Sequence, residues 1–274
     1  MAAMARLLQA RGVHPAFILD EGGNISQLFA LTRKPFATVG VAEKGRLLFS
    51  LSCTAPRALE ELSRAAARIS RIHPRARLCD PVLSDMLPAM RPLMNGRDRF
   101  CLSHGRLFHG PLLHRLSRTA TGRAITRTQL SLWRQSGDAL LGEIPTLHYS
   151  ASILPGDSAE ALLRQVRRCI RRAPITLSVQ CMEEPGALSP ASGPAWDALC
   201  TAIAVHFPGT MIVPSLLAGG TDARRMEALC PQVYRFCPFI LPQDELLRVH
   251  GVDERLSLEN LNRSVAFFRQ MLQA

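Results

Sequence analysis

Three short stretches of the 274-residue chain hold residue types that could do chemistry. Asp20 closes the apolar run Phe17-Ile18-Leu19 and is followed at once by Gly22-Gly23. A short buried strand ending in an acid delivers that acid to one end of a sheet. His250 stands before Gly251 near the far end of the chain. A carboxylate and an imidazole are both ligands that zinc takes, and bound zinc lowers the pKa of a coordinated water. A strand-end acid also serves as a cap or turn residue, and a His before Gly as a structural one, so residue type alone leaves both roles open. Gly219-Gly220-Thr221-Asp222 reads as a tight turn into a helix. Its N–H groups could face an anion, or it is a turn and nothing more.

The remaining candidates carry less. His104 and His109 are five apart with no acid at ligand spacing, and with His73, His114 and His148 they read as packing or surface residues. Eight cysteines form no C-x-x-C pair, which excludes a zinc ribbon or a redox dithiol, and most read as small buried hydrophobes. The formal net charge is +11, but Lys34 and Lys44 are the only lysines. Such an arginine bias fits a GC-rich coding sequence. The stripes Arg64, Arg68, Arg71 and Arg164, Arg168, Arg171 read as solvated helix faces, and no nucleic-acid partner is expected. No stretch has the roughly 18 apolar residues of a membrane span, and the N-terminus has no long apolar centre. The expectation is a cytoplasmic protein with no membrane partner.

The elements that must position these residues follow from hydrophobic period. Helices are expected at 2–11, 55–72 (stripe Leu59, Leu62, Ala66, Ile69), 158–172 (stripe Leu162, Leu163, Val166, Ile170), 193–207 and from Ser257 onward (stripe Leu258, Leu261, Val265, Phe268, Leu272). Asp157 with Glu160 reads as a capping pair. Strands are expected at 17–20, on both sides of Lys44-Gly45, at 146–153, 175–182, 210–217 and 232–240. Prolines break up 79–145, which reads as a helix or two followed by strands. A compact α+β unit is expected within 45–182.

Three segments in order carry a resemblance: ILDEGG (18–23) with VAEKG (41–45), PSLLAGGTDARRM (214–226), and YRFCPFILPQDELLRVHGVDERLSLENL (234–261). Together they resemble the zinc exopeptidases and amidohydrolases that include carboxypeptidase G, carboxypeptidase S, aminoacylase and the N-acyl-amino-acid hydrolases. The resemblance implies an α/β fold. Residues 1–44 and 183–274 would form part of a discontinuous catalytic domain. Residues 45–182 would form an inserted ferredoxin-like lid, through which the family dimerises. The reaction implied is hydrolysis of an amide beside a free carboxylate, at two zinc ions. Asp20 matches the acid of the D-E-G motif and His250 the histidine of H-G-x-x-E, one ligand to each zinc. Gly219, Gly220 and Thr221 would remain from the carboxylate-binding site.

The family pattern is incomplete between residues 1 and 274. No H-x-D occurs, and the pairs Glu60-Glu61 and Glu183-Glu184 both fall after the D-E-G strand, whereas the family's catalytic pair precedes it. Leu51 replaces the histidine of the lid's H-S-S-x-P run, the asparagine expected in ALLGEIP (139–145) is missing, and Ser152 stands where an arginine would bind the substrate carboxylate. The expectation is therefore a truncated, inactive relative, a pseudoenzyme with zinc weak or absent. The alternatives are a non-catalytic dimerising scaffold, or a half-enzyme completed by an N-terminal chain.

Overall fold

The computed structural model describes residues 2–26, 34–138 and 141–273. In chain order its elements are α1 (Ala2–Ala10), β1 (Ile18–Ser26), β2 (Phe36–Glu43), β3 (Gly45–Ser52), α2 (Ala58–Ile69), α3 (Leu87–Met90), α4 (Gly96–Ser103), α5 (Gly105–Ser117), α6 (Ala120–Thr126), β4 (Gln129–Ser136), β5 (Thr146–Ile153), α7 (Ala159–Ile170), β6 (Thr176–Glu183), α8 (Pro194–His206), β7 (Met211–Leu217), β8 (Val233–Ile240), α9 (Gln243–Leu246) and α10 (Leu258–Met271). They form two compact units. The first comprises Met1–Glu43, Leu78–Ile125 and Gly186–Ala274; the second comprises Lys44–Arg77 and Thr126–Pro185. Residues 78–125 thus differ from the sequence expectation, which placed them with 45–182. Val82, Met86, Leu87 and Met90 are buried, and their helical turns pack on β7. Their prolines obscure that stripe in the sequence.

In the first unit the sheet order is β1-β8-β2-β7. β2 runs parallel to β7 and is buried along nearly its whole length, as a strand covered on both faces must be. One face carries Val39, Val41, Tyr234 and Phe236 against Trp196, Leu199 and Ile203 of α8 and Phe267 and Met271 of α10. The stripe expected to be the buried face of α10 points elsewhere. Leu258 is 77% exposed, Val265 52% and Leu272 88%, while Asn260, Ser264, Phe267 and Met271 are buried. Asn260 sets this rotation: its Oδ1 accepts from Ile240 N at 2.9 Å and its Nδ2 donates to Ile240 O at 2.9 Å. That pair ties the polar edge of the helix to the end of β8.

The second unit is an antiparallel sheet, β4-β5-β3-β6, with α2 and α7 on one face. β5 alternates as its sequence does: Leu147, Tyr149, Ala151 and Ile153 are buried, against Leu62, Ala65 and Ile69 of α2 and Leu162, Leu163, Val166 and Ile170 of α7. Leu59 is 63% exposed, one position off the buried stripe of α2. Asp157 does not cap α7. Ser158 does, accepting from Ala161 N, while Asp157 binds the Arg77 guanidinium and Thr128 Oγ1.

Candidate active site

Two glycines shape the first wall of the site. β1 pairs with β8 from Ile18↔Val233 to Asp20↔Arg235, and then skips to Gly23↔Phe236. The bulge leaves Glu21 and Gly22 unpaired, and bulges recur beside active sites because they re-aim a side chain. Gly22 has φ +144°, and a Cβ on Gly23 would lie 1.9 Å from Thr38 O, so neither position accepts a side chain.

The bulge sends the two neighbouring acids to different places. Asp20 Oδ2 accepts from Ala223 N at 2.7 Å, and its Oδ1 accepts from Glu21 N at 2.9 Å. The Asp20 carboxylate therefore anchors the 3-10 turn Asp222–Met226 onto β1. Glu21 is exposed at the rim of a cavity of about 590 Å³ that lies wholly within the first unit. His250, Gly219, Gly220 and Thr221 line the same cavity. Of the residues singled out in the sequence, the structure thus brings His250 together with the Gly-Gly-Thr turn, and puts Glu21 rather than Asp20 on the cavity wall. Strand alternation already implies that adjacent acids face opposite ways; which one faces the site depends on the bulge.

His250 sits at φ +61°, a left-handed conformation uncommon outside glycine and one that histidine adopts more readily than most residues. Its N–H donates to Glu254 Oε2 at 3.1 Å. Arg255 binds Glu245 at 2.9 Å, and Arg248 binds Asp253 at 2.5 Å. These contacts fix the H-G-V-D-E loop from both sides of His250.

The Gly-Gly-Thr turn is already holding an anion, and that anion is internal. Glu43 is fully buried. Its Oε1 accepts from Thr221 Oγ1 at 2.6 Å and from Arg235 Nε at 2.6 Å; its Oε2 accepts from Thr221 N at 3.2 Å and from the Arg224 guanidinium at 3.3 Å. Arg235, also fully buried, donates onward to Glu227 Oε1 at 2.9 Å and Val233 O at 2.9 Å. A buried carboxylate needs such partners because desolvation of a lone charge costs several kcal/mol. The Thr221 N–H, expected to face substrate, is engaged by Glu43. The signal was present in the sequence as Glu43 in VAEKG and Arg235 in YRF, but the 192-residue separation hid the pair.

Much of the rest of the cavity lining is apolar: Leu217, Phe239, Leu241, Leu246, Val249 and Leu256. Cys237 also lines it. Burial pushes its thiol pKa up, a hydrogen bond from the Gly22 backbone opposes this, and the negative charges of Glu21 and Asp20 add to the rise. The thiol stays neutral at ordinary pH.

A catalytic zinc takes about three protein ligands. Among the described residues, no three His, Cys, Asp or Glu side chains come together to hold a metal ion. The donor set of Glu21 and His250 alone does not fit a catalytic zinc. Also among the described residues, no helix is long and apolar enough to cross a membrane. His104 and His148 have ordinary partners: Phe100 O at 3.0 Å and Ser136 Oγ at 2.8 Å.

The family model of peptidase family M20/M25/M40 matches residues 2–274. The chain belongs to this family. Among its relatives, probable carboxypeptidase S-like 2 of Dictyostelium discoideum is 29% identical over 94% of this chain and 52% of its own length. The human N-fatty-acyl-amino acid synthase/hydrolase PM20D1 is 28% identical over 98% of this chain and 57% of its own. The chain spans about half the length of the curated relatives it matches. Its fold is that of the M20 family metallo-carboxypeptidase Sso-CP2 from Sulfolobus solfataricus, with a TM-score of 0.66 over 98% of this chain and 66% of that one, at 8% identity. Human carnosine dipeptidase 1 gives 0.59 over 99% and 63%. The family resemblance read from the three motifs is thereby confirmed, as is a mixed α/β fold of the M20 kind.

Proposed function

We propose that this chain carries the substrate-facing part of an M20 amidohydrolase site, hydrolysing an amide beside a free carboxylate in an N-acyl amino acid or peptide, and that catalysis needs metal donors beyond those that come together among the described residues. One observation carries the reading: a single cavity gathers Glu21, His250 and the Gly219–Thr221 turn with a set of apolar side chains. In this reading Glu21, not Asp20, and His250 are the residues that would contact zinc, which when bound would acidify a water and polarise the scissile carbonyl. Asp20 and Glu43 are positioning residues that hold the turn. Leu217, Phe239, Leu241 and Leu256 would take an apolar acyl group or side chain, in keeping with the human relative's being an N-fatty-acyl-amino acid synthase/hydrolase. The β-α-β-β-α-β order of the second unit supports its reading as the ferredoxin-like lid. The test is zinc content per chain after dialysis, with hydrolysis of N-oleoyl-phenylalanine measured in parallel. The expected result is little zinc and no turnover from residues 1–274 alone. Zinc retained in stoichiometric amount, with turnover, would show that the missing donors lie within this chain and would sink the proposal.

A further inference from the structure

The two arginine stripes that looked like independent solvated helix faces meet in the second unit. Arg68 on α2 and Arg168, Arg171 and Arg172 at the end of α7 line one surface cavity of about 420 Å³ together with Cys169. Arg68 Nη1 donates to Cys169 O at 3.1 Å, which bridges the two helices. The acids of both helices are engaged away from this cavity. Glu60 and Glu61 bind Arg64 at 3.1 and 2.8 Å, and Glu160 binds Arg164 at 2.9 Å. Among the described residues, no carboxylate lies within ion-pairing distance of Arg68, Arg168, Arg171 or Arg172.

A helix C-terminus welcomes a cation, and Arg68 on the Cys169 carbonyl is explained in that way. The same end of α7 favours Arg168 in its last turn and Arg171 at its C-cap, and what the cavity adds is four exposed guanidinium groups lining one concavity. Like charges that share a concavity repel, weakly where water screens them, and an anion that enters relieves the repulsion. Guanidinium groups are planar forks that bind phosphate oxygens two at a time, and several converging on one concavity select for several phosphate oxygens together. We propose that Arg68, Arg168, Arg171 and Arg172 form a binding site for a compact oligophosphate, the di- or triphosphate group of a small ligand. The site belongs to the second unit alone and does not depend on the hydrolase reading.

Tripolyphosphate is the probe, titrated calorimetrically into the 274-residue protein at low ionic strength, with orthophosphate and a single-stranded thymidine oligonucleotide beside it. The expected result is saturable binding of tripolyphosphate in preference to orthophosphate. In R168Q/R171Q it should weaken about tenfold or more, the loss of two charge-assisted hydrogen-bonding groups. R164Q removes the same kind of charge from the same helix but from an arginine paired with Glu160, and is expected to leave the affinity within about twofold. Arg172→Gln is a milder second variant, which should weaken binding while circular dichroism stays that of the parent. No binding at millimolar probe overturns the proposal. So does an equal loss in R164Q, which would mean diffuse attraction to net charge. An oligonucleotide that binds more tightly than tripolyphosphate, with a steeper salt dependence, overturns it in favour of a nucleic-acid surface.

Discussion

α7 and α10 have the same kind of sequence, an apolar residue at every third or fourth position, and opposite fates. In α7 the stripe Leu162, Leu163, Val166, Ile170 is buried against the sheet of the second unit. In α10 the stripe Leu258, Leu261, Val265, Phe268, Leu272 faces outward, and the helix is seated through Phe267, Met271 and the polar Asn260 and Ser264. Periodicity reports that a helix is amphipathic, not which neighbour its apolar side meets. A contiguous apolar stripe left in solvent marks an interaction surface more often than chance does. The first unit has such a stripe and the second unit's helices do not.

The largest expected effect separates the two helices directly. Val166→Asp places an unpaired carboxylate in a fully buried site and should cost about 4 kcal/mol or more, enough to unfold the second unit. Val265→Asp, at the same phase of the apparent stripe in α10, should change stability by about 0.5 kcal/mol or less and raise solubility. Urea denaturation of both variants decides the matter. A large loss in Val265→Asp would mean that the α10 stripe is covered in solution.

The next comparison sets a buried ion pair against a surface one. Glu43→Gln leaves Arg235 charged and fully buried with Glu227 as its remaining ion-pair partner, and should cost about 3 kcal/mol. Glu160→Gln breaks a pair whose members are both more than half exposed, and should cost about 0.5 kcal/mol or less. Chemical denaturation again reads both. If the two losses are similar, the Glu43 network is not the lock on the Gly219–Thr221 turn described above.

What was legible in the sequence divides along the same line. Strands were readable where their own residues carry the pattern: β2 and β3 on either side of Lys44, which enter different sheets rather than pairing with each other, and β5 with its strict alternation. So was the start of α10 at Ser257, whose side chain accepts from Asn260 N, whereas the capping pair read for α7 was not, because Asp157 is taken by Arg77 and Thr128. What depended on distant partners was not. The assignment of 78–125 rests on its packing against β7, more than eighty residues later in the chain. The engagement of Thr221 N–H by Glu43 spans 178 residues. Asp20 was recognisable from the D-E-G motif and Glu21 was missed, because the acid that lines the cavity is decided by a bulge that only the pairing with β8 reveals.

The smallest effect concerns pH, and it belongs to the first unit. Cys200 on α8 packs against the core that α8 and α10 share, and burial, followed by the charge of Asp197, pushes its thiol up to about 11. An unfolded thiol ionises near about 8.5. Between about 8.5 and about 11 the unfolded chain therefore loses this proton while the native state keeps it, so stability falls as pH rises through that window. Below it, both states hold the proton and the group contributes no pH dependence. Cys200→Ala should flatten this part of the stability–pH curve, measured by urea melts at several alkaline pH values. A curve of unchanged slope in the variant would assign the alkaline loss to another buried acid of the same unit, of which Tyr234, raised to about 12 by burial and its neighbours, is next in line.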